Sequence, residues 1–434
     1  MFNDTGNAMS TNGLTAQKLF ILSLTASLAG FIFGFDMVVI SGADKDIQLL
    51  WNTSPWFHGF FIMSMALWGT VIGSIFGGRP TEKYGRKKIL LLVGLLFTVS
   101  AFGSALAQDP YTFSLFRLLG GIGIGISSVA APTYISEIST PSSRGKLVAM
   151  YQFNIVFGIL IAYLSNYFLS GVGGDNDWRW MLGVMVVPSI IYTIGVLYIP
   201  ESPRWLQTQG SINKEEIVSA AMLLQPKYSR IMWLAFMIAF FNQWSGINFI
   251  LYYAPRILAA AGLAEQESLL NSVALGGTNL IFTFVGLYLI DRLGRKTLLV
   301  IGSFGYIISL AMVAYAFYAS ASSTFLLIFL LVFIASHAVG QGAVIWVFIS
   351  EIFPNKVRAL GQAFGASIHW VFAAVITLIA PIFIDDVNGI FKENPWPIFA
   401  FFGLMMTWQL FWVLTKVPET KGVSLEELEK KLVD

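Results

Sequence analysis

The sequence predicts an all-α membrane protein whose twelve transmembrane helices form two pseudo-symmetric six-helix bundles, and three observations carry that expectation. Composition is the first: of 434 residues, 56% are hydrophobic, 15% aromatic and only 12% charged. Mean hydropathy is +0.71, more apolar surface than a water-soluble chain of this length hides. The second is a series of apolar stretches, each near the roughly 20 residues that a helix needs to cross the hydrocarbon core. The third is an internal repeat, in which short motifs of the first half return in order in the second.

The first seventeen residues are polar and carry one charge, Asp4. They lack the basic leader of a cleaved signal peptide, so the first apolar segment is expected to remain as a helix. Spans then follow at 19–41, 57–79, 88–107, 111–136, 146–169, 180–199, 231–254, 268–290, 297–318, 323–350, 359–384 and 395–415. The connections alternate in charge. Of 26 Lys and Arg, 21 fall on one side; four (Lys45, Arg179, Arg256 and Lys392) fall on the other, and Arg117 lies inside a span. By the positive-inside rule both termini are cytoplasmic. The expected organisation is an N-terminal bundle over 1–199, a cytoplasmic linker over 200–230, and a C-terminal bundle over 231–434 that ends in a short tail. Within the linker, a helix is expected from Lys214 to about Leu224.

Duplication is explicit in the cytoplasmic connections. Tyr84-Gly85-Arg86-Lys87 returns 209 residues later as Leu293-Gly294-Arg295-Lys296. Ser136-Glu137-Ile138, with Arg144 beyond it, returns 214 residues later as Ser350-Glu351-Ile352, with Arg358 beyond it. Pro200-Glu201-Ser202 returns 218 residues later as Pro418-Glu419-Thr420. One copy of Gly-Arg-Lys would mark any cytoplasmic turn, but three ordered pairs mark two related halves. Parallel repeats of this kind build carriers whose solute site lies near the midplane, between the halves.

Several function classes are excluded. A net charge of +2 gives no reason to expect a nucleic-acid partner, and the absence of cysteine removes disulfides, thiolate metal sites and cysteine nucleophiles. Gly120-Gly121-Ile122-Gly123-Ile124-Gly125 is embedded in a span with no preceding strand, so helix packing explains it better than nucleotide binding. No Walker sequence is present, and no enzyme, catalytic residue, metal or cofactor is expected.

Gly78-Arg79-Pro80-Thr81-Glu82-Lys83-Tyr84-Gly85-Arg86-Lys87-Lys88 and Asp291-Arg292-Leu293-Gly294-Arg295-Lys296 resemble the loop signature of the major facilitator superfamily. Pro200-Glu201-Ser202-Pro203-Arg204-Trp205-Leu206, Asn242-Gln243-Trp244-Ser245-Gly246-Ile247-Asn248 and Val417-Pro418-Glu419-Thr420-Lys421-Gly422 narrow the resemblance to its sugar porter branch. The resemblance runs from about Gly34 to Gly422. It implies a functional monomer that carries a monosaccharide, either with protons, as in the bacterial symporters, or passively, as in the animal hexose facilitators. A bacterial cytoplasmic membrane is the expected location.

Asp36 stands inside the first span, where an ionisable group costs about 2.5–3.5 kcal/mol to insert. Arg117, the only cation within a span, is its natural partner. Gly121 and Gly125 follow Arg117 at one-turn spacing and allow a neighbouring helix to approach closely. Two readings stand: a structural ion pair that locks two helices, or a proton site loaded and emptied as helix movement separates the charges. The resemblance matches Asp36 and Arg117 to the coupling pair of the proton symporters and so favours symport.

The seventh span carries Asn242, Gln243, Ser245 and Asn248 around Gly246. In a straight helix Gln243 and Asn248 would point about 140° apart, so a break at Ser245-Gly246 is expected to bring them into one cavity. Amides both donate and accept hydrogen bonds, which suits hydroxyl-rich solutes. Packing of amides between helices is the plainer explanation for any one of them. By resemblance, Gln152, Asn279, Trp346 and Trp370 join a sugar site, and Tyr252 and Tyr253 form the extracellular gate. Phe33 lies one turn before Asp36 on the same face. His369 takes a position often held by Gln or Asn, and Gly340-Gln341-Gly342 replaces a proline-containing segment of the tenth span. Arg86, Glu137, Arg144 and Glu201, with Arg295, Glu351 and Arg358, match an intracellular salt-bridge gate. The expected mechanism is proton-coupled alternating access. A passive facilitator is the alternative, and a sugar sensor without transport is a third.

Overall fold

The computed structural model describes residues 15–140, 143–208, 222–354 and 356–433. Eleven helices in them are long and apolar enough to cross a bilayer, and a bent pair, Pro55–Met63 with Met65–Phe76, supplies a twelfth crossing. The spans are Ala16–Trp51, that bent pair, Arg86–Leu106, Pro110–Ile138, Arg144–Leu169, Gly174–Tyr198, Pro226–Tyr252, Glu265–Leu293, Arg295–Tyr318, Ser323–Ile352, Arg358–Ile384 and Trp396–Lys416. They form the expected two bundles, and an even number of crossings puts both described ends on one face. That face carries Arg86, Arg144, Arg295 and Arg358 and is called the basic face below.

Two spans differ from the sequence expectation. The first continues to Trp51, where Asn52 ends it in the left-handed conformation at φ 46°. Asp44 and Ile47 are buried within this extension and Gln48 is bonded across to Asp385, so packing holds polar residues in helix beyond the apolar run. The second span turns by 42° after a π-helical segment, His58–Met63. Of the expected linker helix, 214–221 lies outside the described residues; Leu223 and Leu224 form a turn.

Within the N-terminal half the first span packs on the fifth, and the second and third on the fourth. In the C-terminal half the ninth packs on the twelfth and the tenth on the eighth and ninth. Small residues set these distances. A Cβ on Gly121 would lie 1.9 Å from the Ala66 carbonyl oxygen, and one on Gly125 would lie 2.4 Å from that of Thr70, so second and fourth spans touch backbone to backbone. The halves meet along two main seams, fifth span against eighth and second against eleventh, which the duplication maps onto each other. The first span also touches the outer part of the seventh. Residues at the centre of these seams face both halves at once.

Candidate functional site

Asp36 and Arg117 are each 1% exposed, on the first and fourth spans. Arg117 donates through Nη1 to Asp36 Oδ1 and through Nη2 to the Asp36 carbonyl, 3.2 Å away. Asp36 Oδ2 and Arg117 Nε are buried with no hydrogen-bond partner among the described residues. One carboxylate oxygen is thus committed to the guanidinium, while the other is spare.

In the seventh span, the helix from Ser229 ends at Trp244, Gly246 takes a left-handed φ of 88°, and a new helix begins at Ile247. Ser245 stitches the break: its hydroxyl donates to the Asn242 carbonyl at 2.7 Å and accepts from Ile247 N at 3.3 Å. The reorientation lets Asn248 Nδ2 donate to Gln243 Oε1 at 2.7 Å, a contact that a straight helix would forbid. Gln243 Nε2 in turn donates to Asn242 Oδ1 at 3.0 Å and lies 3.1–3.2 Å from the two ring nitrogens of His369. His369 stands between two indoles, with ring centroids 4.9 Å from Trp346 and 4.7 Å from Trp370. Trp370 also meets Phe33 of the other half at 5.5 Å.

These seven residues, Phe33, Asn242, Gln243, Asn248, Trp346, His369 and Trp370, are therefore brought together. Asn279 is buried on the eighth span and Gln152 half-buried on the fifth. Neither has a hydrogen-bond partner among the described residues, so both amides are available to a ligand. Tyr252 and Tyr253 are fully buried, and the Tyr253 hydroxyl donates to the Thr377 carbonyl at 2.8 Å across to the eleventh span. A separate cavity of about 320 Å³ lies between the fifth and eighth spans. Its lining, Phe153, Phe284 and Leu287 with Lys146 at the edge, is apolar and includes none of the amides.

On the basic face the two halves build the same network twice. Arg86 forms a fork with Glu137 at 2.8 and 3.0 Å, and Arg295 one with Glu351 at 2.7 and 3.1 Å. Ser202 donates to Glu137 and Thr420 to Glu351, each at 2.6 Å. Glu201 accepts from the backbone N–H of Arg86 and Lys87, and Glu419 from those of Arg295 and Lys296. Arg144 and Arg358 pair with no carboxylate among the described residues; each donates through Nε to a carbonyl of its own half, Ser136 and Phe353, at 3.2 Å. The guanidiniums follow the turn out of the preceding helix and cap its carbonyls instead. Glu419, which was visible in the repeat as the partner of Glu201, belongs in the network. Every ion pair here stays within one half.

The opposite face behaves differently, and nothing in the repeats pointed to it. Asp44 of the first span contacts Arg256, on the short helix Ala254–Ala260 just beyond the seventh, at 2.8 Å, and Lys45 contacts Asp386 at 2.8 Å. Gln48 donates to Asp385 Oδ2 at 2.6 Å and accepts from Arg256 Nη2 at 2.7 Å. His58 donates through Nε2 to Asp44 Oδ1 at 2.7 Å, while its Nδ1 meets Thr53 Oγ1 at 3.0 Å. A sequence signal did exist: Asp44 and Gln48 are one helical turn apart, and Arg256 is one of few cations on that side.

Comparison with known proteins gives a consistent picture. The family described as "Sugar (and other) transporter" matches residues 22–222 and 211–432. An arabinose-proton symporter of Bacillus subtilis is 34% identical, covering 98% of this chain and 97% of its own. The D-xylose-proton symporter of Escherichia coli is 30% identical, covering 95% of this chain and 96% of its own. The glucose transporter GlcP of Staphylococcus epidermidis is 33% identical, covering 96% and 98%. The solved inward-open conformation of the xylose transporter XylE from E. coli superposes with a TM-score of 0.82 at 31% identity, over 95% of this chain and 100% of that one.

Proposed function

The chain belongs to the sugar porter family of the major facilitator superfamily and is a multi-pass membrane sugar transporter, not an enzyme; from that premise we propose that it couples uptake of a monosaccharide to protons by alternating access. The observation that carries this reading is the buried Asp36–Arg117 pair with its spare carboxylate oxygen. A carboxylate held by its guanidinium through one oxygen can take a proton on the other as helix movement separates the two charges.

The two halves divide the work. Asp36 in the N-terminal half takes a proton from outside. Asn242, Gln243, Asn248, Asn279 and His369, with Gln152 across the seam, hold sugar hydroxyls, and Trp346, Trp370 and Phe33 wall the ring. Tyr252 and Tyr253 close above the bound sugar. On the basic face, the twin networks of Arg86, Glu137 and Glu201 and of Arg295, Glu351 and Glu419 keep each half rigid as it rocks. Arg144 and Arg358 hold the turns beside them. The symporters among the relatives, for arabinose and D-xylose, favour coupled transport. The excess of Lys and Arg supports cytoplasmic termini, and the bacterial origin of the relatives supports a bacterial cytoplasmic membrane, where the carrier works as a monomer.

Proteoliposomes with an imposed pH gradient test the reading. Labelled sugar should accumulate above its outside concentration, collapse on adding a protonophore, and equilibrate without accumulating in Asp36→Asn. Accumulation by Asp36→Asn equal to wild type would refute the coupling assignment. Equilibration without accumulation in wild type would make the protein a passive facilitator.

A further inference from the structure

The cluster on the face opposite the basic one is built in a way that a simple ion pair is not. Asp44 is 1% exposed, Arg256 3% and His58 0%, so opening this face pulls apart charges that water does not reach while it is closed. A buried charge stripped of its only partner is costly. Here each charge has a second partner in its own half. Asp44 and His58 lie on the first and second spans, both N-terminal, and are bonded at 2.7 Å. Arg256, on the short helix Ala254–Ala260 just beyond the seventh span, and Asp385, which caps the eleventh, are both C-terminal, with Nη1 and Oδ2 3.7 Å apart. The contacts that cross the halves, Asp44 to Arg256, Gln48 to Asp385 and to Arg256, and Lys45 to Asp386, are the ones that must break.

We propose that Asp44 and Arg256 form a partner-exchange lock on the closed face, with His58 and Asp385 as the holding partners that receive each charge when the lock opens. Closing joins Asp44 to Arg256 and brings Gln48 between Arg256 and Asp385. Opening leaves two pairs, Asp44 with His58 and Arg256 with Asp385, one in each half. Thr53 fixes the His58 ring through Nδ1, so Nε2 stays aimed at Asp44 in either state. His58 and Asp385 thus act on the opening equilibrium through Asp44 and Arg256, and they are positioning residues with no sugar contact. This inference rests on alternating access but not on protons or on the sugar site.

The test uses the absence of cysteine. Spin labels on Leu50→Cys and Glu393→Cys, two exposed positions on the closed face, one in each half, report the opening as a distance in the full-length protein in lipid nanodiscs without sugar. Asp44→Asn and Arg256→Gln remove the crossing pair and should move the ratio of short to long distances toward long by about tenfold. His58→Gln weakens the partner that Asp44 depends on once Arg256 has left it, and should move the ratio toward short. The opposite signs separate lock from holding partner. The doubly reversed Asp44→Arg/Arg256→Asp should not restore the short distance, because it sets an arginine beside His58 and a carboxylate beside Asp385. Restoration by that double reversal, a shift toward long in His58→Gln, or no shift in it, would overturn the proposal. Because the readout needs neither sugar nor a pH gradient, a failure of coupled transport leaves this result interpretable on its own.

Discussion

Asp36 Oδ1 accepts from Arg117 Nη1 while Asp36 Oδ2, buried beside it, has no hydrogen-bond partner among the described residues. The pair is therefore matched in charge but not in hydrogen bonds. Arg117→Gln is expected to leave an uncompensated buried carboxylate and to destabilise the protein by about 3–5 kcal/mol, whereas Asp36→Asn/Arg117→Gln should recover much of that loss. Thermal melts followed by intrinsic tryptophan fluorescence in detergent give the cycle. Equal destabilisation of the single and the double variant would show that Arg117 acts through packing rather than charge.

Gly246 carries the geometry of the amide cluster. Its φ of 88° is one that side chains with a Cβ rarely adopt, and a Cβ there would lie 2.6 Å from the Phe402 ring. The left-handed conformation alone costs an alanine about 1–2 kcal/mol. Gly246→Ala should lower the melting temperature and remove the upward shift that sugar produces in wild type, because Asn248 loses its reach to Gln243. Gly277→Ala, on the eighth span where an added Cβ meets open space, is the control and should change neither.

Part of this site was legible in the sequence for a definite reason. Gln243 and Asn248 are both polar, and no straight helix lets them share a face, so the pair itself demanded a break, and Ser245-Gly246 was the only local sequence suited to one. Three duplicated motifs likewise announced the twin networks of Arg86 and Arg295. What the sequence concealed has no periodicity or repeat behind it. Gln48 and Asp385 are 337 positions apart, and only the docking of two bundles brings them to 2.6 Å. The length of the first span was hidden because its last turns are polar, and polar residues stay helical there only because the opposite half buries or bonds them. Arg144 and Arg358 repeat correctly, yet the repeat does not say whether a guanidinium finds a carboxylate or a carbonyl.

The twin networks make a paired prediction. Gly85 and Gly294 sit at φ 95° and 92°, and a Cβ would come within 2.3 Å of Glu201 Oε2 and 2.5 Å of Glu419 Oε2. Each carboxylate approaches the backbone of a turn to accept from two N–H groups, and hydrogen bonds to a charged group are each worth about 1.5–3 kcal/mol. Glu201→Gln and Glu419→Gln should therefore lower the melting temperature by similar amounts and leave sugar affinity unchanged. Unequal losses would mean that the halves use the motif differently despite the shared geometry.

His369 is the residue through which sugar preference is expected to be set. Its ring is held at 4.9 and 4.7 Å between Trp346 and Trp370 and lies within 3.2 Å of Gln243 Nε2. A neutral imidazole offers one donor and one acceptor at fixed positions, whereas a glutamine amide offers two donors and an acceptor on a longer stem. His369→Gln should therefore change which hydroxyl pattern is satisfied without touching Asp36, which lies in the other half. Competition by pentoses, glucose, galactose and fructose against labelled sugar should reorder, with individual kcat/KM values moving by about tenfold or more. Accumulation driven by a pH gradient should persist for whichever sugar is then preferred. An unchanged order of competition would place the specificity-determining contacts on Gln152 and Asn279 instead, amides that have no hydrogen-bond partner among the described residues.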